Sequence, residues 1–123
     1  MRSHWIEHKG KQILYCDYTN FSLIDFQALK DELDAVVDVM VKQPEGTVLS
    51  LSDIRGSVAS SQVIDIFKVA ATTSAKHIKR QAVVGVSGFK KVFFDLIVRL
   101  SGQNAMAFED MEAAKDWLVK DKV

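Results

Sequence analysis

The hydrophobic pattern of this chain switches repeatedly between a period of two and a period near 3.6. Residues 4–9 and 11–18 mix apolar and polar positions around Gly10, the pattern of a β-hairpin with Gly10 in the turn. Ile13, Leu14, Tyr15, Cys16 and Tyr18 supply β-prone bulk to its second strand. Ser22, with Asp25 three residues on, reads as a capping box. The helix it opens runs to about Lys42, with Phe26, Leu29, Leu33, Val36, Val37 and Met40 in one stripe. Gln27, Asp31, Asp34 and Asp38 fall opposite, as a solvated face, and Pro44 and Gly46 end the helix.

Residues 47–53 alternate as a strand: Leu49 and Leu51 share one face with Thr47, and Ser50 and Ser52 share the other with Val48. That alternation predicts one sheet face better covered than the other. After a loop over 54–59, Ser60 caps a helix predicted to about His77, with Val63, Ile64, Phe67, Ala70, Ala71 and Ser74 inward. Residues 80–86 read as a central strand. The helix over 89–100 presents Phe89, Val92, Phe93, Leu96, Ile97 and Leu100 as its core stripe and is closed by Ser101 and Gly102. Ala105–Phe108 forms a short last strand. Residues 109–120 form the final helix, acidic at its start, with Met111, Ala114, Trp117 and Leu118 apolar. The order ββαβαβαβα predicts a single α/β domain. Its five-stranded sheet is mixed and mostly parallel, with the first strand antiparallel at an edge.

Composition narrows the function. The 123 residues suit one domain, and 48% apolar with 26% charged residues is ordinary for a globular protein. Formal net charge is zero, which removes any overall drive towards nucleic acid. Cys16 is the only cysteine, so an internal disulfide and a multi-thiolate zinc site are excluded. No leader pattern opens the chain and no apolar run approaches the ~18 residues of a bilayer span. The expectation is a cytoplasmic protein whose membrane contact, if any, is peripheral.

Three segments resemble the SpoIIAA-like family, which is related to STAS domains and compared with lipid-binding CRAL-TRIO modules. They are HWIEHKGKQILYCDY, VLSLSDIRGS, and AVVGVSGFKKVFFDLIVRLSG followed by AFEDMEAAKDWL. Together they cover almost the whole chain. The resemblance implies strands in near-sequential order with helices mainly on one face, and a non-enzymatic role with ligand binding and membrane association. STAS proteins proper include anti-sigma factor antagonists switched by a phosphoserine in an Asp-x-Ser turn. Here the turn reads Asp53-Ile54-Arg55-Gly56-Ser57, with the serine four residues from the aspartate rather than two. No switch serine is therefore carried over, and Ser57, Ser60 and Ser61 stand as possible phosphosites.

Several constellations bear on chemistry. Ser87 lies between strand and helix, where a hydrolase nucleophile sits, but the motif is G-V-S-G-F and no histidine follows His77. The same turn, with Lys90 and Lys91, can hold an anion or be a tight turn with solvated lysines. Asp53, Arg55 and Ser57 follow one strand and Asp17, Thr19 and Asn20 another. With Ser87 they can share a ligand crevice at the carboxyl ends of the strands, or simply tie the loop together. His4 and His8 lie roughly 13 Å apart at strand rise, so no metal site is expected, nor any cofactor. Phe94 and Val98 project off the predicted core stripe, beside Lys90 and Lys91. That suits a membrane surface, a gate over a lipid or a dimer contact, or else packing on a neighbouring helix. The reading is a small non-enzymatic binding or regulatory domain for an apolar or amphipathic ligand. The alternative is a protein-interaction module of the anti-sigma antagonist type. Neither reading involves nucleic acid.

Overall fold

Five strands pair side by side in the order in which the chain makes them: β1 (His4–His8), β2 (Lys11–Asp17), β3 (Val48–Asp53), β4 (Ile78–Val84) and β5 (Ala105–Phe108). This computed structural model describes residues 1–101 and 104–120, and the side chains of all of these except Phe89, Phe93, Ile97, Leu100 and Ser101. The hairpin β1–β2 is antiparallel, with Trp5 opposite Leu14. Its two-residue turn places both Lys9 (φ 50°) and Gly10 (φ 82°) at positive φ, the primed geometry that matches strand twist. The other pairings are parallel, and they bring Leu14, Ser50, Gln81 and Ala105 into line across the sheet.

Four helices join and follow the strands: α1 (Phe26–Val41), α2 (Ser61–Ser74), α3 (Phe89–Ser101) and α4 (Met111–Val119). Each crossover from β2 to β5 steps the same way along the sheet. Right-handed crossovers that all step one way must place their helices on one face. α1, α2 and α3 accordingly share a face. α4 leads to no further strand and folds onto the other, where Ala114, Leu118 and Val119 pack on Ile13, Leu49, Leu51, Ala82 and Val84.

Local signals set the helix starts. Asp25 accepts from the Ser22 amide (3.0 Å) and hydroxyl (2.8 Å), through a short 3-10 turn (Leu23–Asp25) that precedes α1. Ser60 Oγ accepts from the Val63 amide at 3.2 Å, and Asp110 accepts from the Ala113 amide at 3.0 Å. α2 ends at Ser74, and a 3-10 turn (Ala75–His77) completes the segment expected to be helical.

The two sheet faces are covered unequally, as the alternation predicts, with more helices over the serine face. Ser50 is wholly buried, and the row Val48, Ser50, Ser52 lies under the three-helix layer, while α4 alone covers the leucine row. The hydroxyls are satisfied in place: Ser52 Oγ accepts from Gln81 Nε2 at 2.7 Å and Ser50 Oγ lies 3.6 Å from Cys16 Sγ. Alternation marked buried hydrogen bonding here, not exposure. On α3, Val92 is 66% exposed instead of joining the core, whereas Phe94 and Val98 look inward. Lys90 Nζ donates to the Ile54 carbonyl at 3.1 Å, which turns that side of α3 towards the end of β3. Leu96 is half-buried. The expected roles of Phe89, Phe93, Ile97 and Leu100 in the stripe, and of Ser101 and Gly102 in closing the helix, fall outside the described residues. Among the described residues, no helix is long and apolar enough to cross a membrane.

One buried acid was not legible as such in the sequence. Glu32, on α1, is 7% exposed and accepts from the amides of Arg2 (3.0 Å) and Ser3 (2.7 Å), which ties the start of β1 to the helix. Burial opposes its ionisation, but bonds from Ser3 and Arg2 outweigh that and hold its carboxyl below the usual range. Glu32→Ala leaves two amides without an acceptor. Urea unfolding at neutral pH should show a loss of about 1–3 kcal/mol.

Candidate functional site

Between the sheet and the three-helix layer lies a cavity of about 150 Å³. α1 lines it with Leu29, Leu33, Val36, Val37 and Met40, α2 with Val63, Ile64, Phe67, Ala70 and Ala71, and α3 with Phe94 and Val98. These walls follow from the helical stripes: α1 and α2 turn the residues that their periodicity marked as inward, and α2 keeps alanines where a larger side chain would close the space. Ile54, Val58 and Lys90 stand at the end nearest the carboxyl termini of the strands.

The floor is different in kind. Tyr18, Ser52 and Gln81 rise into the cavity from the end of β2, from β3 and from β4. Tyr18 is 4% exposed and Gln81 is 7% exposed. The Tyr18 ring packs edge-on against Phe67, with centroids 5.3 Å apart. Beneath them, the Cys16 thiol is pushed up to about 11, first by burial. Ser50, Tyr18 and Ser52 act on it in the opposite direction, so all three hydroxyls reach its neighbourhood. Burial likewise raises the Tyr18 phenol well above its ordinary range, so it remains a neutral donor.

The residues expected to form a crevice at the strand ends meet there, but bond mainly to one another. Asp53 is fully buried. Its Oδ1 accepts from Arg55 Nε (2.9 Å), and its Oδ2 accepts from Arg55 Nη2 (2.7 Å) and from the Tyr15 hydroxyl (2.8 Å). Burial opposes the charge on Asp53, but Arg55 and Tyr15 outweigh it and hold the carboxyl below its usual range. Burial, then the bond to Asp53, pushes Tyr15 up to about 12. Asp17 Oδ1 accepts from Thr19 Oγ1 (2.6 Å) and from Arg2 Nη2 (3.2 Å). The Asn20 amide donates to the Arg55 carbonyl at 3.0 Å. Ser57 Oγ donates to the Tyr18 carbonyl and accepts from the Phe21 amide (3.0 Å). Of this group only Ser57 also lines the cavity.

Two loop glycines combine a positive φ (75° at Gly56, 101° at Gly85) with a close neighbour, the Asn20 side chain at the first and the Arg55 backbone at the second. A Cβ on Gly56 would fall 2.0 Å from Asn20 Oδ1, and one on Gly85 would fall 2.8 Å from the Arg55 amide nitrogen. Ser87 is exposed, and its carbonyl accepts from the Lys90 amide at 3.1 Å as α3 begins. Among the possible phosphosites, Ser57 is committed to the two bonds above and Ser60 to its cap, while Ser61 is exposed. Lys91 is exposed, whereas Lys90, Phe94 and Val98 line the cavity. Of the cavity's floor, sequence reasoning missed Tyr18 and Gln81. The available signal was a glutamine directly before the apolar run Ala82–Val84 of a central strand.

No protein-family model and no curated protein matches this sequence. Among solved structures, the chain is similar to an uncharacterised protein of the DUF3478 family with a SpoIIAA-like fold, from Shewanella loihica PV-4. The TM-score is 0.65 at 17% identity, over 94% of this chain and 91% of that one. The chain has a SpoIIAA-like fold, as the resemblance of its segments implied.

Asp53→Asn tests the lock at the strand ends. It removes the charge that Arg55 and Tyr15 surround, and chemical denaturation at pH 7 should show a loss of about 1–3 kcal/mol. Because the folded carboxyl titrates below its unfolded range, its contribution is complete above the unfolded pKa. It is lost as pH falls through the folded one, so the gap between wild type and variant should close on acidification.

Proposed function

We propose that this chain is a non-enzymatic binding or regulatory domain that holds an apolar or amphipathic ligand in the cavity under α1, α2 and α3. The observation that carries this is the cavity itself, with apolar walls and polar groups confined to its floor and one end. Dispersion and water exclusion along the walls supply affinity, and the few polar groups supply orientation. α3 is the gate. It contributes Phe94 and Val98 to the cavity and is tied to the end of β3 by the Lys90 bond to the Ile54 carbonyl. The polar residues at the strand ends support this reading by being occupied with one another, as a structural lock rather than a catalytic set. For the rival reading, a phosphate-switched interaction module, Ser61 is the exposed hydroxyl at the start of α2.

Native mass spectrometry of the protein as purified tests the main reading. Wild type should carry a small apolar adduct, and Ala70→Leu, which narrows the cavity, should lose it while staying folded. An adduct unaffected by Ala70→Leu, or a wild type with none, would sink the proposal. Peripheral membrane contact belongs to the same reading and rests on the outer side of α3, where Val92 is 66% exposed and Lys91 is exposed. Wild type should float with anionic vesicles, and the double variant Val92→Asp, Lys91→Glu should remain in the dense fraction. Equal behaviour of the two removes the membrane component.

A further inference from the structure

We infer that the cavity selects a neutral, hydroxyl-bearing molecule of about the size of one benzene ring, with the hydroxyl seated against Tyr18 and Gln81 on the sheet floor. This rests on the proposed binding role and specifies its ligand class.

Two buried groups carry the inference. Apart from its approach to the Cys16 thiol, the Tyr18 hydroxyl makes no hydrogen bond among the described residues, and none reaches Gln81 Oε1; the amide of Gln81 spends its Nε2 on Ser52 Oγ (2.7 Å) and on the Ala82 carbonyl (3.4 Å). Yet among the described residues no fully enclosed side-chain nitrogen or oxygen lacks a partner. Gln81 Oε1 therefore opens onto the cavity. Tyr18 and Gln81 both line that same small cavity. Gln81 is bonded to Ser52, and Ser52 and Tyr18 both act on the Cys16 thiol. A single hydroxyl at this spot can donate to Gln81 Oε1 and accept from the Tyr18 hydroxyl, which satisfies all three groups at once.

Charge and size restrict the rest of the ligand. Among the described residues the cavity is lined by no aspartate, glutamate, arginine or histidine, and its one lysine, Lys90, sits at the end of the cavity bonded to the Ile54 carbonyl. A carboxylate or an ammonium on the floor would be a buried charge without a counterion, which costs far more than the hydrogen bonds return. A dry apolar cavity of about 150 Å³ accepts a benzene-sized guest, and that is the volume here. A two-chain lipid does not fit inside it.

The test is titration of the full chain with phenol, toluene and benzoate, read by amide chemical shifts of cavity residues. Phenol should bind roughly ten times more tightly than toluene, about the worth of one well-made hydrogen bond, and benzoate should bind more weakly than either. Tyr18→Phe and Gln81→Leu, each checked for a native circular dichroism spectrum, should each reduce the preference for phenol and leave toluene affinity within about twofold. Equal binding of phenol and toluene, tightest binding of benzoate, or a preference for phenol that survives in both variants would overturn the ligand class while leaving the cavity a binding site. No saturable shift with any of the three probes would overturn the binding role as well.

Discussion

A buried sheet face built partly from small polar side chains is the constraint from which the rest of this molecule follows. Under α1, α2 and α3 the central strands present Cys16, Ser50, Ser52 and Gln81 rather than a row of leucines and isoleucines. Serine is too short to fill the distance to a helix layer, and its hydroxyl cannot be buried without a partner. The first property leaves space. The second forces the cross-strand bonds from Gln81 to Ser52 and from Ser50 to Cys16. The cavity and its polar floor thus have one origin. On the opposite face, Leu49 and Leu51 meet Ala114 and Leu118 in ordinary apolar packing.

The strand ends show why a familiar location for ligands is not the most promising one here. Parallel strands direct their following loops to one edge of the sheet, and polar groups gather there. In this chain the gathering is spent internally. Asp53 is surrounded by Arg55 and Tyr15, Asp17 by Thr19 and Arg2, and Ser57 by two backbone groups of the neighbouring loop. Gly56 and Gly85 allow three loops to approach within contact distance, which completes the lock. A rigid rim of this kind holds the ends of β2, β3 and β4 in fixed positions. The helices that start from those loops inherit that placement, and so does the cavity beneath them.

Much of the architecture was legible in the chain. The cap at Ser60, the capping box of Ser22 and Asp25, the turn at Gly10 and the stripes of α1 and α2 are local: a few neighbouring residues decide them, and the structure agrees. α3 was harder, because its face was assigned by summing apolar residues around a wheel. A helix with apolar residues on several sides has no unique answer to that sum. Val92 ended outside and Phe94 and Val98 inside once Lys90 was anchored on Ile54. Glu32 was lost for the opposite reason. Its partners are amides about thirty residues earlier, and no pattern within α1 reveals them.

The division is therefore one of range. By itself the sequence determined the order and type of the elements and the parallel, same-handed crossovers, because periodicity, capping and chain connectivity act between near neighbours. It also determined that small and polar residues would occupy the middle of β3. Whether those residues would face water or a helix layer was decided only in three dimensions, when the crossovers placed α1, α2 and α3 over that face and α4 over the other. Gln81 lies level with Ser50 and reaches along the sheet to Ser52, and Cys16 lies beside Ser52, because register across three parallel strands sets these positions. Strand register is a property of the assembled sheet and cannot be read from any one of its strands.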